Sequence, residues 1–466
     1  MLCIETRYRA ILQYKERLEM EENRSFYKKV FALVIPMALQ NLINVGVSAT
    51  DVIMLGKVGE KVLSGCSLGG QVFWILSLFL FGATSGGSVL VAQYWGKKDM
   101  ATIEKVIGIS LRFTETIAVL FMIASLFFPY QIMSIFTNDP EVAVQGVKYM
   151  QILAFTYPLA AYTMTYLNLL KSIEKVVIST IVYASSLGLN IVVNAVLIFG
   201  LFGAPKLGVQ GAAIGTLCAR LLEFIIVIVY SKYRCSEVTI HPAMILKPDK
   251  VLTRDFFHYA YPVIINEVLW GVGYSANTAI MGRLGSSAVA ANSVAQVTRQ
   301  LSMVIGFGVA NATAILIGKA IGEKKEALAQ EYAKKFVWLS LACGIGGGLL
   351  ILLLRPVIVM GLGFQGDTAQ FLNQFLLVMS YYVIGQAVNS TIIVGVLRSG
   401  GDTRFGMILD MTSMWCCSIL FGALAAFVFH LPTTAVYIIL LSDEIIKLPF
   451  SFIRYKKRKW LKDVTR

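Results

Sequence analysis

Two carboxylates stand where a carboxylate is costly. Asp51 lies in the apolar stretch 36–59, PMALQNLINVGVSATDVIMLGKVG, and Glu267 in the stretch 262–285, PVIINEVLWGVGYSANTAIMGRLG. An acid deep in a membrane-spanning helix costs about 2.5–3.5 kcal/mol on insertion scales and marks a pathway or proton relay by default. Desolvation favours its neutral form, so such a group can take up and release a proton. The plainer reading of Asp51, about one and a half turns before Gly56, is a cap or a snorkelling acid at the helix end. That of Glu267 is a structural hydrogen bond to Asn266 or Trp270.

Other polar groups share these apolar runs. Arg299 is the most obvious cation among them; it either pairs with Glu267, which would make both structural, or lines a wet cavity between the halves of the chain. Asn190 and Asn194, at i and i+4, share one helix face. Thr216 sits in GVQGAAIGTLCAR, where small residues let helices approach closely. Glue between helices is the alternative reading of this polar set. Arg112 with Glu115, and Arg220 with Glu223, read as self-neutralised pairs at i and i+3. Pro36 and Pro262 each remove a backbone hydrogen bond and bend their helix, as a moving part or as a fixed kink.

Enzymatic sets are missing from the sequence. There is no Walker A loop, HExxH or GxSxG, so no catalysis and no cofactor are expected. His241, His258 and His430 are dispersed, and Cys3, Cys66, Cys218, Cys235, Cys343, Cys416 and Cys417 form no CxxC pair.

The elements that position these residues are membrane spans. The chain is 57% hydrophobic and 15% charged, with a mean hydropathy of +0.70. Its repeated apolar runs are long enough to cross a hydrocarbon core of about 30 Å, and too long and uniform for barrel strands. The expected fold is all-α and polytopic, with twelve transmembrane helices. Basic residues gather in alternate loops and at the termini, for example Lys28, Lys97, Lys171, Lys232, Lys324, Arg398 and the 454–466 tail. The loops of the other side hold Lys57, Lys61, Lys206, Arg283 and Arg355. This bias places both termini in the cytoplasm. It also accounts for the net charge of +14 without nucleic acid, which needs a stacked aromatic and basic surface.

The expected organisation is a cytoplasmic N-terminal lead over 1–28, with Met20 an alternative start and no cleavable signal. An N-lobe of six helices over 29–231 follows, then a cytoplasmic linker over 232–255 containing His241-Pro242 and Lys247-Pro248. A C-lobe of six helices over 256–455 precedes a basic tail over 456–466. An internal repeat supports the division. At one constant offset, Pro36, Gly56 and Gly59 recur as Pro262, Gly282 and Gly285, and Phe81, Gly82, Gly96 and Lys98 as Phe307, Gly308, Gly322 and Lys324. A six-span unit returns the chain to its starting side, so the copies are related by a pseudo-two-fold axis along the membrane normal. The acids do not repeat: Asp51 aligns with Asn277, and Glu267 with Asn41.

These motifs resemble those of the multidrug and toxic compound extrusion (MATE) family. The resemblance rests on P-x14-D-x4-G-x2-G around Asp51, QYWGKKD at 93–99, GAPKLGVQGAAIGT at 203–216, GKAIGEKKE at 318–326, LRSGGDT at 397–403 and the DEIIKLPFSFIRYKKRKW ending at 443–460. It implies a V-shaped arrangement of two lobes around a central cavity. It also implies a plasma-membrane antiporter that exports small-molecule organic cations and drugs in exchange for H+ (or Na+), as a monomer among membrane lipids. Asp51 matches the family's first-helix acid, Asn190, Asn194 and Thr216 its polar partners, Glu267 the seventh-helix acid of one branch, and Pro36 the bending proline. Sodium near Asp51 is the one metal the resemblance suggests. Asn194 stands where some relatives have Asp, Ala387 where one branch has an acid beside Asn389, and Val47 where some have Tyr. Export of a lipid-linked precursor or metabolite on the same superfamily fold is the alternative. It needs a cationic cavity, for which Arg299 is the visible supplier. A membrane enzyme or scaffold is the alternative of a different class.

Overall fold

A computed structural model describes residues 2–235, 237–238 and 249–466, with only the helical backbone described over 2–20. The linker residues His241, Pro242, Lys247 and Pro248 lie outside the described residues, as do the side chains of residues 1–20, that of Cys3 among them. All regular structure among the described residues is helical. Among them, nine helices are long and apolar enough to span a membrane by themselves. Three more spans are built from broken or more polar segments, which completes twelve.

The twelve spans are α1 (Leu2–Gly56), α2 (Glu60–Lys97), α3 (Met100–Phe127), α4 (Pro140–Leu153 and Thr156–Lys171), α5 (Val177–Phe199) and α6 (Val209–Tyr233), then α7 (Lys250–Arg283), α8 (Ser286–Ser302 and Val304–Gly322), α9 (Glu326–Gly361), α10 (Gly366–Ser390, continuing to Leu397), α11 (Thr403–Met411, continuing to Phe427) and α12 (Thr433–Leu440 and Asp443–Lys456). Local chemistry sets their ends. Asp99, Asp139 and Asp249 each accept hydrogen bonds from first-turn backbone amides of α3, α4 and α7, satisfying donors that a helix start leaves open. Helices α2 and α8 close on Lys98 and Lys324, both left-handed (φ 61 and 57). The repeat seen in the sequence is thus repeated in backbone conformation.

The proline helices run on through their prolines: α1 through Pro36 and α7 through Pro262. The Pro36 carbonyl accepts a hydrogen bond from Thr180 Oγ1 at 2.9 Å. Helices α10 and α11 each contain a π-helical stretch, Thr391–Leu397 and Thr412–Ile419. The extra residue per turn re-aims the side chains at its ends; Arg398 follows the first stretch and Asp410 shortly precedes the second.

Helices α1–α6 and α7–α12 form two lobes, each with its own apolar core. The lobes meet over the halves of their helices that lie on the side of the termini. There Phe26, Val30 and Val34 of α1 pack against Val309, Leu316 and Phe336 of the C-lobe. Leu252, Phe256 and Ala260 of α7 join the N-lobe core in return. Gly82 of α2 lies against the backbone of Ile264 of α7, a contact that only a missing side chain permits, and Gly308 of α8 packs closely on Val34 of α1. The loops and tail on this side add polar ties. Lys319 donates to Glu174 at 2.8 Å. Gln93 donates to the carbonyls of Ser399 and Lys462 and accepts from the amide of Val464. Toward the opposite side the lobes diverge, which gives the V shape and leaves a cavity between them.

Candidate functional site

In the N-lobe, Asp51 is half-buried on α1. Asn194 Nδ2 of α5 donates to its Oδ1 at 2.7 Å and to Asn190 Oδ1 at 3.1 Å. Both asparagines are buried (2% and 0% exposed), because neighbouring helices come close. A Cβ on Gly215 of α6 would lie 2.0 Å from Asn194 Oδ1. Thr216 is on the same helix, its hydroxyl donating to the Ala212 carbonyl at 3.1 Å. Three spans distant in sequence therefore place Asp51, Asn190, Asn194 and Thr216 together. Tyr149 of α4 and Cys66 of α2 lie within electrostatic range of Asp51. Neither was visible as a site residue in the sequence, where a tyrosine or cysteine in an apolar run looks like packing. Arg220 is also within range of Asp51. It pairs with Glu223 at 2.9 Å and lies 5.4 Å from the Phe73 ring centroid, while Ser186 donates to Glu223 at 2.6 Å. The expected Arg220–Glu223 pair is present. The expected Arg112–Glu115 pair is not: Nε and Nη2 of Arg112 and Oε1 of Glu115 have no partner among the described residues, since i, i+3 spacing permits a pair without imposing the rotamers that form it.

In the C-lobe, Glu267 pairs with Arg398, not with Arg299. Arg398 Nη2 lies 3.2 Å from Glu267 Oε1, and Nη1 donates to Ser85 of the N-lobe at 2.8 Å. The sequence alone counts Arg398 among the cytoplasmic-loop cations; it is buried (6% exposed) because the π-helical end of α10 carries it inward. Arg299 instead donates to the side-chain oxygens of Gln296 at 2.8 Å and Gln386 at 3.0 Å. A second charge cluster has no counterpart among the site residues expected from the sequence. Lys447 of α12 is buried and lies 3.3 Å from Asp410, 3.0 Å from Asp443 and 3.0 Å from Glu444. Asn389 donates to Glu444 Oε2 at 2.7 Å, and Asn266 donates to Asp410 at 3.2 Å. The signal was present in DEIIK, where three charges at helical spacing sit inside an apolar run, but its closeness to the basic tail made it look peripheral.

The cavity between the lobes has a volume of about 460 Å³, bordered by Trp270, Phe307, Glu267, Arg299, Arg398 and Lys447. A deeper part of about 240 Å³ shares Asn41, Phe81 and Arg398 with it and is bordered by Lys171. Basic groups in the cavity are therefore more numerous than the single Arg299 expected. Pro36 and Pro262 lie in the halves of α1 and α7 that pack across to the opposite lobe. Among the described residues, no group of three His, Cys, Asp or Glu side chains is arranged to hold a metal ion. An oxygen-rich shell at Asp51, with Asn190 and Thr216 nearby, has the donor type that a hard cation such as sodium takes.

The family model for MatE matches the chain twice, over residues 36–196 and 262–424. The chain belongs to the MatE family. The two matches begin at Pro36 and Pro262, the same pair of prolines at which the internal repeat begins. This MATE protein is 24% identical over 405 residues to the Probable multidrug resistance protein YoeA of Bacillus subtilis (84% of this chain, 85% of that one). It is 25% identical over 425 residues to a Probable multidrug resistance protein NorM of Bradyrhizobium diazoefficiens (88% and 89%). Among solved structures it superposes on a MATE crystal structure in the bent conformation with a TM-score of 0.84 at 17% identity, covering 93% of this chain and 95% of that one. It matches the straight conformation with a TM-score of 0.83 at 18% identity, covering 92% and 95%. At such identities the superpositions establish the twelve-helix fold. Together these matches make the chain a multi-pass membrane transporter of the MATE family.

Proposed function

We propose that this MATE protein is a secondary antiporter of the plasma membrane, with both termini cytoplasmic. It exports organic cations and drugs by alternating access in exchange for protons, as a monomer and without a cofactor. The observation that carries the reading is the Asp51–Asn194 hydrogen bond of 2.7 Å, next to Asn190 and Thr216, in a span that leaves the interlobe contact before it reaches Asp51. A proton arriving from the open side neutralises Asp51, weakens the hold on a cation, and changes how α1 packs on α5. Pro36, already short of one backbone hydrogen bond, is where α1 bends, with Pro262 its counterpart in α7. Binding shifts the balance between inward- and outward-open forms only through its differential affinity for them. Phe81, Trp270 and Phe307 border the cavity and suit flat apolar cations through ring faces. Glu267 is the second coupling candidate, restrained by Arg398.

The test is proteoliposome transport of a fluorescent organic cation under separately imposed pH and sodium gradients, for wild type, Asp51→Asn and Glu267→Gln. Loss of pH-driven transport in Asp51→Asn is expected. Full gradient-driven transport by that variant would sink the coupling role, and transport under a sodium gradient alone would replace the proton with sodium.

A further inference from the structure

The duplication that built the two lobes left corresponding intralobe positions with different charge. In the repeat, Asn277 occupies the position of Asp51, and Arg299 that of Phe73. The C-lobe copy has therefore lost the acid and gained a cation where the N-lobe has a phenyl ring. Its pocket has a volume of about 50 Å³, with Trp270, Asn277, Arg299, Tyr382, Tyr437 and Asp443 in its wall. Trp270 stacks on Tyr274 at 5.9 Å.

Arg299 is 6% exposed, and its two hydrogen bonds go to neutral amide oxygens, of Gln296 and Gln386. No carboxylate lies within ion-pair distance of it among the described residues. Asp443, the acid of the pocket wall, is held by Lys447 at 3.0 Å. Of the acids bordering the interlobe cavity, Glu267 pairs with Arg398, while Asp410 and Glu444 share Lys447 with Asp443. Arg299 is thus a buried guanidinium whose hydrogen bonds among the described residues go to neutral oxygens, a costly state that an anionic group in direct contact would relieve. Two further groups converge on the same space. The Tyr437 hydroxyl, on a side chain 2% exposed, has no partner among the described residues. Asn277 Oδ1 has none either, and a flip of its amide presents the NH2 instead.

We infer that the Arg299–Tyr437 pocket is an anion subsite that takes one compact monovalent anionic group, either a halide or the carboxylate of a substrate held in the adjoining cavity. Guanidinium, phenol and amide N–H groups are all donors to such a group, and charge-assisted bonds to it are the strong ones. The size fits: a cavity of about 10–15 Å³ on this measure holds one water, so this one, of about 50 Å³, admits a halide or a carboxylate end. Trp270, Arg299 and Gln386 border both this pocket and the interlobe cavity, so a substrate lying in the cavity has a route for its acidic end. The carboxylate arm rests on the export function proposed above; the halide arm does not.

The test uses the purified full-length protein. In the first arm, tryptophan fluorescence is titrated with chloride, bromide and formate at constant ionic strength against gluconate, with Trp270→Phe identifying the reporter. In the second arm, proteoliposomes under a pH gradient are offered a rhodamine dye with a free carboxyl group and its methyl ester. A saturable fluorescence change that weakens about ten-fold or more in Arg299→Gln, and several-fold in the nearly isosteric Tyr437→Phe, supports the subsite with a free anion. A free-acid to ester transport ratio that falls about ten-fold in Arg299→Gln supports it with the substrate carboxylate. Tyr437→Phe is the decisive variant if Arg299→Gln does not fold. Wild type showing neither a saturable response nor a dependence of transport on the carboxyl group overturns the inference, as do responses unchanged in both variants. If neither dye moves, the export function fails while the fluorescence arm still decides the subsite.

Discussion

Gly96 of α2 and Gly322 of α8 lock against each other's helices around the pseudo-two-fold axis. A Cβ on Gly96 would fall 2.1 Å from the Lys319 carbonyl oxygen, and a Cβ on Gly322 would fall 1.8 Å from that of Gln93. Gln93 and Lys319 are themselves equivalent positions of the repeat, so the contact is made twice with the same geometry. Both obstacles are backbone atoms, which cannot rotate aside.

Gly322→Val should therefore wedge the lobes apart on the side of the termini, since overpacking a tight contact costs about 1–3 kcal/mol. An introduced Ser88→Cys, at the deep part of the cavity, would report it. Labelling by a membrane-impermeant thiol reagent applied from the terminal side should rise several-fold over the same cysteine in the wild-type frame. Unchanged labelling would mean that the contact does not hold that side closed.

Asn194 supplies the one side-chain hydrogen bond that Asp51 receives from the described residues. Asn194→Ala should reduce pH-driven transport about ten-fold while costing about 1–2 kcal/mol of stability, the usual size of a lost hydrogen bond to a charged or buried group. Asn194→Asp adds a second carboxylate beside Asp51, and hard cations prefer such oxygen ligands. Sodium stimulation of transport in that variant alone is the expected result.

Glu267 and Arg398 should depend on each other. Removing one member of a buried pair costs about 3–5 kcal/mol, because the other charge is left unpaired. Glu267→Gln should lower the thermal unfolding temperature in detergent, and Glu267→Gln with Arg398→Gln should restore most of it. If the double variant is stable but transport remains uncoupled, Glu267 acts in coupling beyond its structural pairing.

Asp402, outside the spans, ties the C-terminal tail to the α10–α11 turn. Arg454 donates to it at 2.7 and 3.0 Å and Lys462 at 3.0 Å. Burial pushes its carboxyl up, but the bonds from Arg454 and Lys462 outweigh this and hold it below the ordinary value of 3.8. A depressed carboxyl contributes stability above its unfolded pKa and loses it as pH falls through the folded one. Asp402→Asn should therefore be less stable than wild type by about 2 kcal/mol at pH 7. The gap should persist down to about the ordinary aspartate value and close only in stronger acid, as followed by thermal unfolding across a pH series. A constant gap in strong acid would remove the carboxylate as its cause.

Much of this transporter is written locally. Length and uniformity of the apolar runs determined helices and a membrane, because a backbone in hydrocarbon must satisfy its own hydrogen bonds. The constant-offset repeat determined two like lobes, and Asp51 was conspicuous because an acid is rare where it lies. What only the tertiary structure decided were the partners of buried charges. Arg398 looks like a loop cation until the π-helical end of α10 turns it toward Glu267, and Lys447 looks like part of a basic tail until α12 places it among three acids. Arg299 left two readings open in the sequence; the structure gives it amide partners and a cavity and no acid. Pairing at a few ångströms depends on the rotation, depth and register of helices far apart in the chain, and one-dimensional spacing carries that information only within a single helix.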